Sequence, residues 1–134
     1  TNDAPILLIG QVFVSSSATL TIEPGTMIMA YGDDGTDSGR APALVIEQDS
    51  RIVASGSQGN PITFTSAVTE QNLPQRGLWG GLIICGRAPI TTSDGSAVDT
   101  VEGVDGSTYG GFSSEDNSGV LSYVRVWYGG SVVG

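Results

Sequence analysis

Residues 20–32 read LTIEPGTMIMAYG, and residues 44–56 read LVIEQDSRIVASG. Set one above the other at an offset of 24, they agree at Leu20/Leu44, Ile22/Ile46, Glu23/Glu47, Ile28/Ile52, Ala30/Ala54 and Gly32/Gly56, with Thr26 opposite Ser50. Apolar and polar residues alternate within the strands, so that Leu20 and Ile22 point one way and Thr19 and Thr21 the other. The pairs Pro24-Gly25 and Gln48-Asp49 supply the turn in each copy. Self-similarity at such a period is the signature of a solenoid, in which each repeat buries its apolar side on the next. About 24 residues hold three short strands and three turns, one coil of a β-helix. On this reading Leu, Ile and Ala stack on like residues, and Glu23 lies about 5 Å from Glu47 in the next coil, the spacing of paired strands. The alternative is two unrelated strand–turn–strand units that share a common pattern.

Working outward, similar β-rich runs recur at 6–9, 11–14, 27–30, 51–54, 61–65, 81–85 and 121–128, with a weaker one at 101–104. Gly, Ser, Asp and Pro separate them, and no window carries apolar residues at helical spacing. The chain is expected to be all-β, a single domain over 1–134 forming a parallel β-helix of about five irregular coils with side loops. Coils are expected at about 6–31, 43–65, 79–86, 99–104 and 119–130, with loops at 32–42, 66–78, 87–98 and 105–118.

Composition narrows the function. The chain of 134 residues has net charge −9, no lysine, no histidine, five arginines, one cysteine and 20 glycines. Without a basic patch, phosphate-directed nucleic-acid binding and attraction to anionic membranes are not expected. Without histidine there is no His-assisted nucleophile and no imidazole metal site. One cysteine closes no intrachain disulfide, and Cys85, in an apolar strand, reads as a buried, inert thiol. No apolar run reaches the roughly 18 residues of a membrane-spanning helix, so membrane insertion is not expected. The first residue is Thr rather than Met, which suggests a trimmed product.

Five further segments follow one another in order: ATLTIEPGT (18–26), GNPITFTS (59–66), LWGGLIICGRAP (78–89), VEGVDGSTYGG (101–111) and DNSGVLSYVRVWYGG (116–130). Together they resemble a group of secreted right-handed parallel β-helix surface proteins and lipoproteins, found mainly in Bacteroidetes and other environmental bacteria. The resemblance spans about 6–130. It implies a right-handed β-helix at the cell surface or outside the cell. It brings no catalytic motif onto these residues, and members of the group are typically longer.

Candidate sites follow. Asp33, Asp34 and Asp37 share a Gly-rich loop whose oxygens suit Ca²⁺, the one cofactor considered; the plain alternative is a solvated acidic loop. Glu115, Asp116 and Asn117 form a weaker version. Glu23 and Glu47, if stacked, would resemble the carboxylate pair of a glycosidase. Trp79, Trp127 and Tyr128 are candidates for stacking on sugars, against the alternative that the two tryptophans pack under the long 87–119 insertion. Thr100, within Asp99-Thr100-Val101, matches a short O-glycosylation pattern of Bacteroidetes.

The ends carry the leading functional expectation. The terminal strands of a solenoid template pairing with another chain unless a polar cap covers them. Ile6, Leu7, Leu8 and Ile9 at one end, and Val124, Val126, Val132 and Val133 at the other, show no such cap. They are therefore the expected assembly strands of an extracellular, non-enzymatic structural protein whose partner is itself, joined head to tail into a fibre or surface layer. The first alternative is a carbohydrate-binding module, Ca²⁺-assisted, with glycans as partners; the second is a polysaccharide-degrading enzyme.

Overall fold

The computed structural model describes residues 4–31, 39–68 and 76–131. Asp33, Asp34, Asp37, Val132 and Val133 lie outside the described residues. Among the described residues there are twelve strands: β1 (Ile6–Ile9), β2 (Gln11–Val14), β3 (Thr19–Ile22), β4 (Met27–Tyr31), β5 (Ala43–Ile46), β6 (Arg51–Ser55), β7 (Ile62–Ser66), β8 (Gly81–Ile84), β9 (Val98–Thr100), β10 (Thr108–Gly110), β11 (Gly119–Ser122) and β12 (Val124–Val126). Ten of them form three parallel sheets, in the orders β1-β4-β7-β12 (sheet A), β2-β5-β8 (sheet B) and β3-β6-β11 (sheet C). The chain visits the sheets cyclically, A then B then C, and each strand pairs in parallel with one from the coil before. This is a parallel β-helix solenoid of three complete coils plus β12.

The coil step is not 24 residues. It is 22 from Ile6 to Ile28, 32 from Leu20 to Ile52, 36 from Ile28 to Phe64 and 38 from Leu44 to Leu82. Leu20 therefore stacks on Ile52 rather than on Leu44. The 24-residue similarity relates β3–turn–β4, a corner between sheets C and A, to β5–turn–β6, a corner between sheets B and C. Both corners use one local device. The residue after the turn donates its N–H back across it, Thr26 to the Glu23 carbonyl at 3.3 Å and Ser50 to the Glu47 carbonyl at 3.0 Å. Gly25 and Asp49 hold positive φ, a conformation that glycine and aspartate tolerate better than most residues. The repeated motif is a corner, used twice at different places in the coil.

Strand parity matches the alternation read from the sequence. Ile28 and Ala30 of β4 are buried while Met27 and Tyr31 are exposed, and Ile52 and Ala54 of β6 are buried beneath exposed Arg51 and Ser55. Inward residues from all three sheets form the main column, which includes Leu8, Ile22, Ile28, Leu44, Ile46, Ile52, Ile62 and Phe64. Burying each of the larger aliphatic side chains contributes about 1.5–3 kcal/mol before the entropy cost of ordering.

Strand β5 departs from alternation: all four residues of Ala-Leu-Val-Ile are buried. Leu44 and Ile46 face the column, while Ala43 and Val45 belong to a second core with Cys85 and Val104, flanked by Ile83, Val101 and Tyr109. That second core lies between the outer face of sheet B and the insertion linking β8 to β11. The coil expected at 99–104 is part of this cover. Strand β9 pairs antiparallel with β10, outside the parallel stack, and Val101 and Val104 supply its apolar underside.

Polar contacts hold the insertion in place. Gln48 Nε2 donates to the carbonyls of Gly86 and Gly110, both at 2.8 Å, and Gln11 Nε2 donates to Gly103 O at 2.9 Å. Arg87 forms a two-pronged pair with Asp49, both contacts at 2.6 Å. That guanidinium holds the Asp49 carboxyl below the usual carboxylate range, and the Arg87 pKa rises in turn. Where β11 meets β6, Gly119 adopts φ +131° and a Cβ there would come within 1.8 Å of the Ile52 carbonyl oxygen, so only glycine fits.

Candidate functional site at the ends of the solenoid

Among the described residues, sheets A, B and C each have an edge strand at either end of the stack. At the head these edges are β1, β2 and β3; at the tail they are β12, β8 and β11. Side chains with inward parity are uncovered at both ends. Ile6 shares the phase of buried Leu8 but is 45% exposed at the head. At the tail, Leu121 shares the phase of Ala54 and Val126 that of Phe64, yet each is 47% exposed. The head opens as a cavity of about 480 Å³ lined by Ile6, Leu8, Val12, Leu20, Ile22 and Leu44, with Glu23 also on its wall. Among the described residues, apolar groups with inward parity are thus least covered at the two ends, which makes the ends the candidate site.

Among the expected assembly residues, Ile6, Leu7, Leu8 and Ile9 form β1, the edge strand of sheet A at the head among the described residues, and Val124 and Val126 lie on β12, its edge strand at the tail. Sequence reasoning passed over Val12, Leu20, Ile84 and Leu121, which belong to the same ends. Their strand parity was readable; their place in the last coil needed the register.

The other candidates separate. Trp79 is completely buried. It joins the main column, stacks on Phe64 with ring centroids 6.4 Å apart, and donates from Nε1 to the Trp127 carbonyl at 2.7 Å. It presents no ring face to a sugar, and it does not lie under the long insertion. Trp127 is 43% exposed, with the Arg125 guanidinium 5.5 Å from its ring centre and Tyr128 tilted against it at 6.3 Å.

Glu23 and Glu47 sit at different corners and do not stack, because Ile22 is in register with Ala54 and Ile46 with Val14. Glu47 instead lies 3.3 Å from the buried Ser107 hydroxyl, which donates to it. Asp116 and Asn117 serve the local backbone, accepting from Arg87 N at 2.8 Å and Gly119 N at 2.9 Å. Among the described residues no group of three or more acidic, histidine or cysteine side chains could hold a metal ion. Thr100 lies exposed on β9, its N–H bound by Asp99 Oδ1 at 2.8 Å. Cys85 is buried, and that burial, aided by the charge of Glu47, pushes its thiol pKa up.

A family model described as a pectate-lyase like beta helix domain matches residues 2–134. The chain belongs to that family. The match covers every described strand and the insertion. Comparison with the curated proteins and with the solved structures returned no match. Family membership accounts for the β-helix fold, and the lyase in the family's description points to enzymatic relatives.

Proposed function

We propose that this chain is a structural β-helix subunit that stacks head to tail on further copies of itself, building an extracellular fibre or surface layer. The observation that supports this reading is the opening of the apolar column to solvent at both ends, with Ile6 and Val12 at the head and Leu121 and Val126 at the tail. Each end also carries three strand edges whose backbone groups can pair with another chain. Because head and tail differ, a joint between them is heterologous and propagates into a ring or filament. The resemblance to secreted surface β-helices supports the extracellular setting. Light scattering of the purified chain across a wide concentration range, with negative-stain electron microscopy, tests the reading. Concentration-dependent growth into thin unbranched filaments is expected, and a monomer at every concentration overturns it.

A second reading is carbohydrate binding at the exposed Trp127 with Arg125 and Tyr128, and the lyase in the family's description favours an acidic polysaccharide as ligand. Glycan-array binding that disappears in Trp127→Ala would put this reading first. Degradation of polysaccharide is the third reading. It rests on the family's description alone, since the proposed Glu23–Glu47 pair does not form.

A further inference from the structure

The insertion over sheet B contains the tripeptide Asp-Gly-Ser twice, at 94–96 and at 105–107. A third Asp-Gly step, Asp34-Gly35, lies outside the described residues. An Asp-Gly step is open to one internal reaction, attack of the glycine backbone nitrogen on the aspartate Cγ, because glycine has no side chain to hinder the approach. The two steps in the insertion are closely matched. Both aspartates and both glycines are exposed. Gly95 holds φ +80° and Gly106 φ +76°, and nothing lies within 4 Å of a Cβ built on either.

Hydrogen bonding separates them. At Asp94 both reacting groups are held. The carboxylate accepts from Thr92 Oγ1, Ser96 N and Ser96 Oγ, each at 2.9 Å, and Gly95 N donates to the Thr92 carbonyl at 3.3 Å. The same donors keep the Asp94 carboxyl below the usual carboxylate range, whereas ring closure draws on the neutral carboxyl. At Asp105 both groups are available. Its side chain is 84% exposed, and its contact with Arg40 is an exposed ion pair, which holds little in water. Gly106 N donates to no group among the described residues.

We infer that Asp105 is a site of spontaneous modification, and that its conversion to isoaspartate loosens the insertion's hold on sheet B. Gly106 N bonds to Asp105 Cγ, the carboxyl hydroxyl leaves as water with the amide proton, and a succinimide ring closes. Water then opens the ring. Addition at Cγ restores aspartate. Addition at the main-chain carbonyl breaks the original peptide bond and leaves the backbone running through the side chain. Mass is unchanged, and the main chain is one methylene longer.

That methylene enters between two buried anchors. Val104, just before Asp105, belongs to the second core with Ala43, Val45 and Cys85. Ser107, just after Gly106, is 2% exposed; its hydroxyl donates to Glu47 Oε1 at 3.3 Å and its carbonyl accepts from Val101 N at 2.9 Å. Close-packed interiors register even one methylene. The lengthened link cannot keep both anchors seated, so the cover opens locally and the buried Cys85 becomes reachable.

Ageing the intact chain at neutral pH and body temperature, followed by residue-level mapping with electron-transfer mass spectrometry, tests the site. Isoaspartate should accumulate several-fold more at 105 than at 94 in the folded chain, and to similar extents at both in denaturant, where the Thr92 and Ser96 contacts are gone. Equal amounts in the folded chain, more at 94, or none at either overturns the assignment. A thiol reagent tests the consequence. The isoaspartate fraction, separated by chromatography, should label at Cys85 several-fold faster than unaged chain, and an Asp105→Glu chain aged in parallel should show no gain. Unchanged labelling of the isoaspartate fraction, or an equal gain in Asp105→Glu, overturns the loosening while leaving the modification site in place.

Discussion

Sheet B and the two ends of the column present the same chemistry and meet different fates. The outer face of sheet B is apolar through Ala43 and Val45, and the chain's own insertion covers it with Val101, Val104 and Tyr109. The ends are apolar through Ile6, Val12, Leu121 and Val126, and these side chains remain exposed. A face that the chain closes is a matter of folding. A face left open among the described residues is, on the proposed reading, where a further copy would join. The contrast separates residues that hold the subunit together from residues proposed to join subunits.

Four substitutions and one change of pH break or sharpen that contrast. Phe64→Ala removes the ring that stacks on Trp79 in the column, and should cost about 3–5 kcal/mol of stability, read as a lower denaturant midpoint. Val45→Ala opens a void in the second core, and should cost about 2 kcal/mol. Its hydrogen exchange should rise first in the insertion, where Phe64→Ala raises exchange throughout.

Acid should act on the insertion in a smaller way. The folded pKa of Asp49 lies below its unfolded value, so the Arg87 pair stabilises fully above the ordinary carboxylate range and is lost as pH falls through the folded pKa. Asp94 follows the same sign, since the backbone N–H and hydroxyl of Ser96 and the Thr92 hydroxyl favour its ionised form. Exchange in residues 85–118 should therefore increase below about pH 4 before the column opens. Asp49→Asn should remove the share of that pH dependence that the Arg87 pair carries, leaving that of Asp94.

The smallest effect on stability belongs to the ends. Val126→Lys places a charge on an already exposed position, so the denaturant midpoint should move by less than about 0.5 kcal/mol. Assembly should nevertheless be lost. A Val126→Lys chain that assembles normally would detach the tail from the proposed joint.

Much of the architecture could be read from local pattern. Thr19-Leu20-Thr21-Ile22 and Arg51-Ile52-Val53-Ala54 alternate because one face of each strand is buried, and the parity of both is the one observed. The strand at Ile6–Ile9 was likewise legible. The coil register was misread for a specific reason. The 24-residue similarity is genuine, but it records hydrogen-bonding demands at a four-residue corner, which are the same wherever such a corner occurs. Trp79, expected to stack on sugars or to pack under the long insertion, instead joins the main column, because a tryptophan beside a Gly-rich loop carries no local sign of which core it enters.

The amino-acid sequence by itself determined where strands form, which way their side chains alternate, and which residues can turn a corner. Each depends on interactions within a few residues: steric limits on φ and ψ, the two-residue strand period, and turn hydrogen bonds. Only the tertiary structure decided which strand lies on which and that the 85–118 insertion folds back over sheet B. Those depend on pairings 22 to 67 residues apart, from Ile6–Ile28 to Leu121–Ala54, across corners whose lengths change from coil to coil. No local pattern encodes that sum of lengths; the stacking of all three sheets on one column sets it.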